Sequence, residues 1–324
     1  MKRREFLVLA ASAAVAHARV AQGADVFPSK PIRLIVPFAP GGGADSVARL
    51  ISDALSQQLG QPVVIENKGG AGGAIGTMEV VRAVPDGHTL VMATQSITAA
   101  NPAINPKSPY DPTTDLTAII DVAASPSVLA VRAGFPAKNY QEFLAEVRAH
   151  PGDYTYASSG VGGIIHLMME YFCQLTGTSI RHIPFNGAGP AKNAVIAGQV
   201  DMVYDTPNSV LPFIKTGKLV PIAVSAPNRW KDLPDTPTFR EVGVDRMTKM
   251  SNFGLLGPKG MSRETVLKIN AATRKAVEEP AVRKRVEDSG AVIVASTPEE
   301  YAAGIKALLA DLKVVVAERK LTME

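Results

Sequence analysis

The residues of this chain whose spacing could do chemistry are glycines. They cluster in Pro37–Ser46 (PFAPGGGADS), Tyr156–Gly163 (YASSGVGG) and Pro184–Ala191 (PFNGAGPA), each where an apolar strand-like run gives way to a helical pattern. Glycine leaves backbone N–H groups open, and a helix start adds N–H groups without intrahelical partners and about half a positive charge. A strand, a glycine-rich loop and a helix in succession therefore make an anion site. Three of them on one rim predict a receptor for an anion. These loops contain no lysine or arginine, so backbone N–H groups and hydroxyls must hold it. Hydrogen bonds to a charged group contribute about 1.5–3 kcal/mol each; three or four would support micromolar binding, about −8.2 kcal/mol after association costs.

The hydroxyls expected to help are Ser158 and Ser159 in the second loop, and Thr94 and Ser96 after a strand at Thr89–Ala93. Asp205 follows a strand at Val200–Tyr204 and reaches the same rim. It could hold a ligand ammonium or hydroxyl, or cap the next turn. Phe38 and Phe185 end apolar runs and could cover a ligand body or pack within the fold.

Other chemistries fail on spacing. A dinucleotide fingerprint needs glycine at offsets 0, 2 and 5, but Gly41 and Gly43 are followed by Ser46, Gly160 and Gly162 by Ile165, and Gly187 and Gly189 by Lys192. Gly217-Lys218 continues with Leu219, so there is no P-loop. Ser159 lacks the glycine two residues before it that a serine elbow requires. His88, His150, His166 and His182 include no pair at helical metal-ligand spacing. No cofactor and no metal are expected. His166 has Glu170 one turn on, an ion pair or structural contact, and His88 in the turn after Pro85 is read as exposed. Cys173, the lone cysteine, sits in an apolar helical pattern and is read as core.

The elements that must position these loops alternate strand and helix. Ile32–Val36, Val63–Glu66 and Thr89–Ala93 read as strands; Val47, Leu50, Ile51, Ala54 and Leu55 share one helix face, and a helix runs through Met78 and Val81. Such alternation implies a largely parallel sheet with helices on both faces. Leu116–Ala123 and Val128–Val131 come close together around Pro126, where a crossover is expected. A second set follows: helix Tyr140–Ala149, strand Tyr154–Ala157, helix Ile164–Leu175, strand Ile180–Ile183, helix Ala191–Ala197, then strands to Val224. Phe253–Leu256 is expected to return to the first sheet, with helices Glu264–Val277 and Pro298–Val316 beside it. In open parallel sheets ligands bind beyond the carboxyl ends of the strands, where all three loops fall.

Lys2, Arg3 and Arg4 precede an apolar run from Phe6 to Ala16, too short to span a bilayer, as in a secretory signal peptide. Cleavage is expected after Ala18 or, preferred here, near Gly23 and Ala24. Arg3-Arg4-Glu5-Phe6-Leu7 resembles a twin-arginine motif, although Lys2 stands where Ser or Thr is usual, and the general secretory route stays open. Of the formal charge of +4, residues 1–24 carry +3, which leaves +1. A chain so nearly neutral lacks the basic stripe of a nucleic-acid binder. With 46% apolar residues over 324 positions, it can build two cores.

The residues together resemble the Bug-type substrate-binding proteins of tripartite tricarboxylate transporters, a TctC-like family. The resemblance runs from about Lys30 to Tyr301. It is carried by Pro31–Gly42, Val64–Asn67 with Gly70–Gly73, Ala157–Gly160, His182–Phe185, Gly198–Asp201, Gly217–Leu219, and Leu233-Pro234 with Pro237-Thr238. It implies a two-lobed α/β periplasmic receptor of Venus-flytrap type, each lobe a mixed sheet flanked by helices. Such a receptor is no enzyme; it closes on a small carboxylate and presents it to a membrane permease. The expected division is a signal peptide over 1–24, lobe I over 25–122 plus 254–324, and lobe II over 123–253. The expected ligand-binding residues are Phe38, Ala39, Pro40, Gly41, Gly42, Gly43, Gly72, Gly73, Thr94 and Ser96 on one side, and Ser158, Ser159, Gly160, Asn186, Gly187 and Asp205 on the other. Asn186 replaces a common lysine, Asn252 a common tryptophan, and Met261-Ser262 the usual Thr-Pro. The alternatives are an exported hydrolase using Ser159 with His166, and a sensory subunit acting on a signalling protein. A monomer is expected.

Overall fold

The computed structural model describes residues 27–185 and 188–323. The chain opens with β1 (Ile32–Val36), α1 (Gly43–Leu59), β2 (Val63–Asn67), a tight turn at Ala71–Gly73, α2 (Ala74–Val81) and β3 (Thr89–Thr94). A π turn over Ser96–Ala100 and the single turn α3 (Asn101–Ile104) follow, and then β4 (Leu116–Ser125). The chain crosses at Pro126-Ser127 into β5 (Val128–Arg132), α4 (Tyr140–Ala149), β6 (Thr155–Ser158), α5 (Ile164–Thr176), β7 (Arg181–Pro184), α6 (Ala188–Ile196), β8 (Met202–Asp205), α7 (Pro207–Lys215) and β9 (Leu219–Val224). It returns through β10 (Ser251–Pro258), α8 (Arg263–Glu278), α9 (Pro280–Asp288), β11 (Val292–Ile293) and α10 (Pro298–Glu318).

Two mixed sheets result, one per lobe. The first has the order β11-β4-β10-β3-β1-β2, and the second β7-β6-β8-β5-β9. In the first, β1 pairs in parallel with β2 and β3, and β10 runs antiparallel to both β3 and β4. In the second, β6 is parallel to β7 and β8, while β5 is antiparallel to β8 and β9. The first sheet is mixed because β10 returns to it from the second lobe, and the second because β5, the strand that enters from the crossover, runs against its neighbours.

Period-3.6 patterns explain the flanking helices. In α1, Val47, Ala48, Ile51, Ala54, Leu55 and Leu59 are buried against the first sheet, and the helix stops at Gly60, which takes φ +73° and donates its N–H to the Ser56 carbonyl. In the second lobe, Leu167, Met169, Phe172 and Cys173 of α5 enter one core with Tyr156, Phe143 and Phe239, so the lone thiol is buried as expected. Helix α10 serves both lobes: Tyr301 and Ile305 pack with the first sheet, while Leu308, Leu309, Leu312 and Val315 enter the second lobe's core. Among the described residues no helix is long and apolar enough to cross a membrane. The expected signal peptide lies outside the described residues.

Candidate functional site

The first glycine loop is shorter than its sequence suggests, since α1 already begins at Gly43. Residues Ala39–Gly43 are exposed, and the loop is fixed from beneath by Asp45. Asp45, buried in the first turn of α1, accepts the Gly41 N–H at 2.9 Å, Arg49 Nε at 3.0 Å and Asn67 Nδ2 at 2.9 Å. Asn67 Nδ2 also donates to the Phe38 carbonyl at 3.1 Å. The Arg49 guanidinium, helped by these N–H donors, holds the Asp45 carboxyl down to about 2.

The loop after β2 packs directly on the turn after β3. Gly73 has φ +95°, and a Cβ there would lie 2.5 Å from Ile97 Cγ2 and 3.2 Å from Phe38 Cζ. At Gly72 a Cβ would lie 2.8 Å from Asn101 Nδ2. Phe253, paired with Thr94, has its ring within 3.0 Å of where a Cβ on Gly43 would sit. The expected residues Phe38, Gly43, Gly72, Gly73, Thr94 and Ser96 are thus brought to one rim, built from the loops after β1, β2 and β3. The Phe38 ring serves packing over Gly73, and Phe185 packs with the second lobe's apolar cluster.

In the second lobe Ser158 ends β6, and its Oγ lies 2.6 Å from His182 Nε2 and accepts the Gly160 N–H at 3.1 Å. The His182 ring is stacked between Tyr156 (centroids 4.9 Å apart) and His166 (4.1 Å). Burial, and then the neighbouring His166, push His182 down to about 4; burial lowers His166 as well. His166 Nδ1 accepts the Gly162 N–H at 3.2 Å, which requires that nitrogen to be unprotonated. Glu170 does not pair with His166; it accepts from the Tyr156 hydroxyl and from Arg319. A Cβ on Gly162 would lie 3.2 Å from Ile104 Cγ2, so this loop meets α3 of the first lobe's rim.

The three helices that follow these loops, α1, α2 and α5, start from Gly42, Gly73 and Gly163 with no side-chain cap. Helices α4, α8 and α10 are capped by Asn139, Ser262 and Thr297. Two buried polar atoms at the rim, Thr94 Oγ1 and Asn101 Oδ1, have no hydrogen-bond partner within the protein. Asn101 had no assigned role in the sequence; its unpartnered buried Oδ1, together with an Nδ2 that lies against Gly72, is what singles it out.

The remaining expected residues are placed as follows, and the exposure expected of His88 and the start expected of α6 are corrected. Asp205 is the last residue of β8, and both its oxygens are engaged, by Thr206 N–H and Ser209 Oγ at 2.7 Å each; burial still raises its pKa. His88 is buried, edge-on to Phe27, with Nε2 accepting the Ser29 N–H at 3.2 Å. Ser159 is exposed, and the imidazole beside the loop's serines, His182, bonds to Ser158, so the Ser159–His166 pair of a hydrolase is not formed. Asn186 and Gly187 lie outside the described residues, and α6 begins at Ala188 rather than Ala191.

Known proteins of similar sequence agree with this architecture. The chain is 33% identical over 278 residues to Protein BugT of Bordetella pertussis, covering 86% of this chain and 85% of BugT. The solved structure of MatC from Rhodopseudomonas palustris with bound malate is similar at TM-score 0.78 and 34% identity, covering 90% of this chain and all of MatC. An R. palustris protein with adipate gives TM-score 0.79 and 30% identity, covering 90% and 97%. The sequence pattern of the tripartite tricarboxylate transporter family receptor matches residues 47–321. A mixed-sheet, two-lobed chain with this match over most of its length belongs to that receptor family, whose members bind solutes and are not enzymes.

Proposed function

We propose that the chain is a periplasmic receptor that holds a dicarboxylate between its lobes and hands it to the membrane permease of a tripartite transporter. One observation carries this reading: three helices start from glycine without a side-chain cap, and their glycine loops pack against Phe253, Ile97, Asn101 and Ile104, in the region that holds the unpartnered Thr94 Oγ1 and Asn101 Oδ1. Backbone N–H groups there can take a carboxylate without a cationic side chain. The relatives with malate and adipate support the ligand class.

The ligand-facing set is Phe38–Gly43, Gly72, Gly73, Thr94 and Ser96 on lobe I, and Ser158–Gly160 with Asn186 and Gly187 on lobe II. Lobe I comprises 25–122 and 254–324, and lobe II comprises 123–253. Residues 123–125 and 251–253, paired between β4 and β10, form the hinge ribbon. Closure follows from a ligand that binds the closed form more tightly. Asp205 acts as the cap of the turn into α7. The receptor works as a monomer, exported by residues 1–24, with the twin-arginine route suggested by Arg3-Arg4.

Thermal shift across a panel of mono-, di- and tricarboxylates tests the function. Dicarboxylates should raise the melting temperature in a saturable manner, and Gly42→Val should remove the shift. Ester turnover lost on Ser159→Ala, with no shift from any carboxylate, would overturn it. Binding without transport, together with capture of a signalling protein, would select the sensory role.

A further inference from the structure

A cavity of about 740 Å³ whose lining includes no residue of the glycine loops lies between the β4–β10 pair of the first sheet and α10. Its lining includes Gln95, Asp121, Lys249, Asn252 and Tyr301, with an apolar side formed by Val294, Ile305 and Leu308. Asp121, only 6% exposed, projects from β4 into it. One carboxylate oxygen, Oδ2, accepts from Asn252 Nδ2; the other, Oδ1, is buried with no partner.

The other charged groups around the cavity are placed differently. Lys249, from the segment before β10, is paired with Asp311. Glu300, from α10, accepts the Thr297 N–H and hydroxyl in the helix cap. Arg274 of α8 and the buried Tyr301 of α10 complete the set. A buried carboxylate with one oxygen unserved is costly, and a neutral donor would leave its charge uncompensated. A cation on that oxygen removes both penalties.

We propose that this cavity is a second ligand site, for a small organic molecule that sets a primary ammonium against Asp121 Oδ1 and lays an apolar body along Val294, Ile305 and Leu308. The site is wired to the carboxylate rim. Asn252 Oδ1 accepts from Gln95 Nε2 at 2.8 Å, and Gln95 stands between Thr94 and Ser96. Burial pushes the Asp121 carboxyl up to about 7, so ammonium binding must displace a proton below that pH.

The test is NMR titration of the secreted chain, 15N-labelled, with benzylammonium and with neutral benzyl alcohol, with and without saturating malate. Benzylammonium should give saturable shifts at the Gln95 and Asn252 side-chain amides, at least tenfold tighter than benzyl alcohol. Its affinity should fall about tenfold from pH 8 to pH 6, and at least tenfold in Asp121→Asn. No saturable shift at these residues, equal affinity for the alcohol, or an affinity indifferent to pH and to Asp121→Asn would each overturn the proposal. If the variant does not fold, the pH dependence of the native chain decides. Thermal shift by dicarboxylates reads the cleft separately, so either site can fail alone.

Discussion

Loop Phe38–Gly43 on the first lobe is held by charge: the Asp45 carboxylate gathers Gly41 N–H, Arg49 and Asn67. Loop Ser158–Gly162 on the second is held by two stacked imidazoles, His182 bonded to Ser158 Oγ and His166 accepting the Gly162 N–H, which needs His166 neutral. The Asp45 carboxyl is held down to about 2, whereas His182 titrates at about 4 and His166 is also lowered. Acid therefore loosens one side of the receptor and leaves the other in place. The two loops also differ in what their glycines tolerate: Gly73 is walled by Ile97 and Phe38, while a Cβ on Gly160 would meet nothing nearer than the Phe185 carbonyl at 3.8 Å.

The largest test of this contrast is steric. Gly73→Ala combines a positive φ with a 2.5 Å contact to Ile97 and should cost about 3 kcal/mol in urea unfolding; Gly160→Ala, with backbone strain alone, should cost about 1 kcal/mol. Equal costs would dissolve the difference between the loops.

The next test is pH. His182 has a folded pKa of about 4, below its ordinary 6.5, so the unfolded chain binds the proton more readily. Its contribution is fully present above pH 6.5 and is lost as pH falls through about 4; the full shift corresponds to about 3.4 kcal/mol, and solvent screening of this half-buried ring brings the expected cost to about 2 kcal/mol. Asp121, raised to about 7 from 3.8, has the opposite sign: its contribution is present below 3.8 and is lost as pH rises through 7. The informative quantity is thus the difference between the native chain and His182→Asn. The native chain should lose more stability and more malate affinity between pH 7 and pH 4, and parallel curves would refute the histidine latch.

Asp45→Asn should be smaller, about 1–2 kcal/mol at pH 7, because the amide keeps one acceptor, sets its NH2 against the N–H donor on the other side, and gives up the charge on a solvent-facing Arg49. The slope of its stability between pH 7 and pH 5 should match that of the native chain. The smallest effect is expected at Asp205. With both oxygens spent on Thr206 and Ser209, Asp205→Ala should weaken malate and adipate alike, by about threefold, as loss of a cap does. A selective loss of malate, the ligand with a hydroxyl, would instead put Asp205 in contact with ligand.

Local periodicity made most elements legible: the crossover at Pro126, helix Tyr140–Ala149 to the residue, and the return of Phe253–Leu256 to the first sheet. Helix Pro207–Lys215 was hidden by its own prolines, since Pro207 occupies its first turn and Pro212 its interior. The glycine loops were legible because their chemistry lies in the backbone. Their supports were not, because each joins residues far apart in sequence. Asp45 reaches Asn67, and Asn252 reaches both Gln95 and Asp121. His88 was misplaced for the same reason: its turn is polar, yet Phe27 arrives from elsewhere to cover it.

Helix α10 has a consequence for the order in which the protein can pack. Leu308, Leu312 and Val315 complete a core begun by Leu129, Phe143 and Tyr156, while Tyr301 and Ile305 complete one begun by Ile35 and Val91. A share of each lobe's apolar interior therefore stays open until α10 docks, although β1, α1 and α8 close a separate first-lobe core without it. Both lobes therefore reach their full packing at one shared step, the docking of α10.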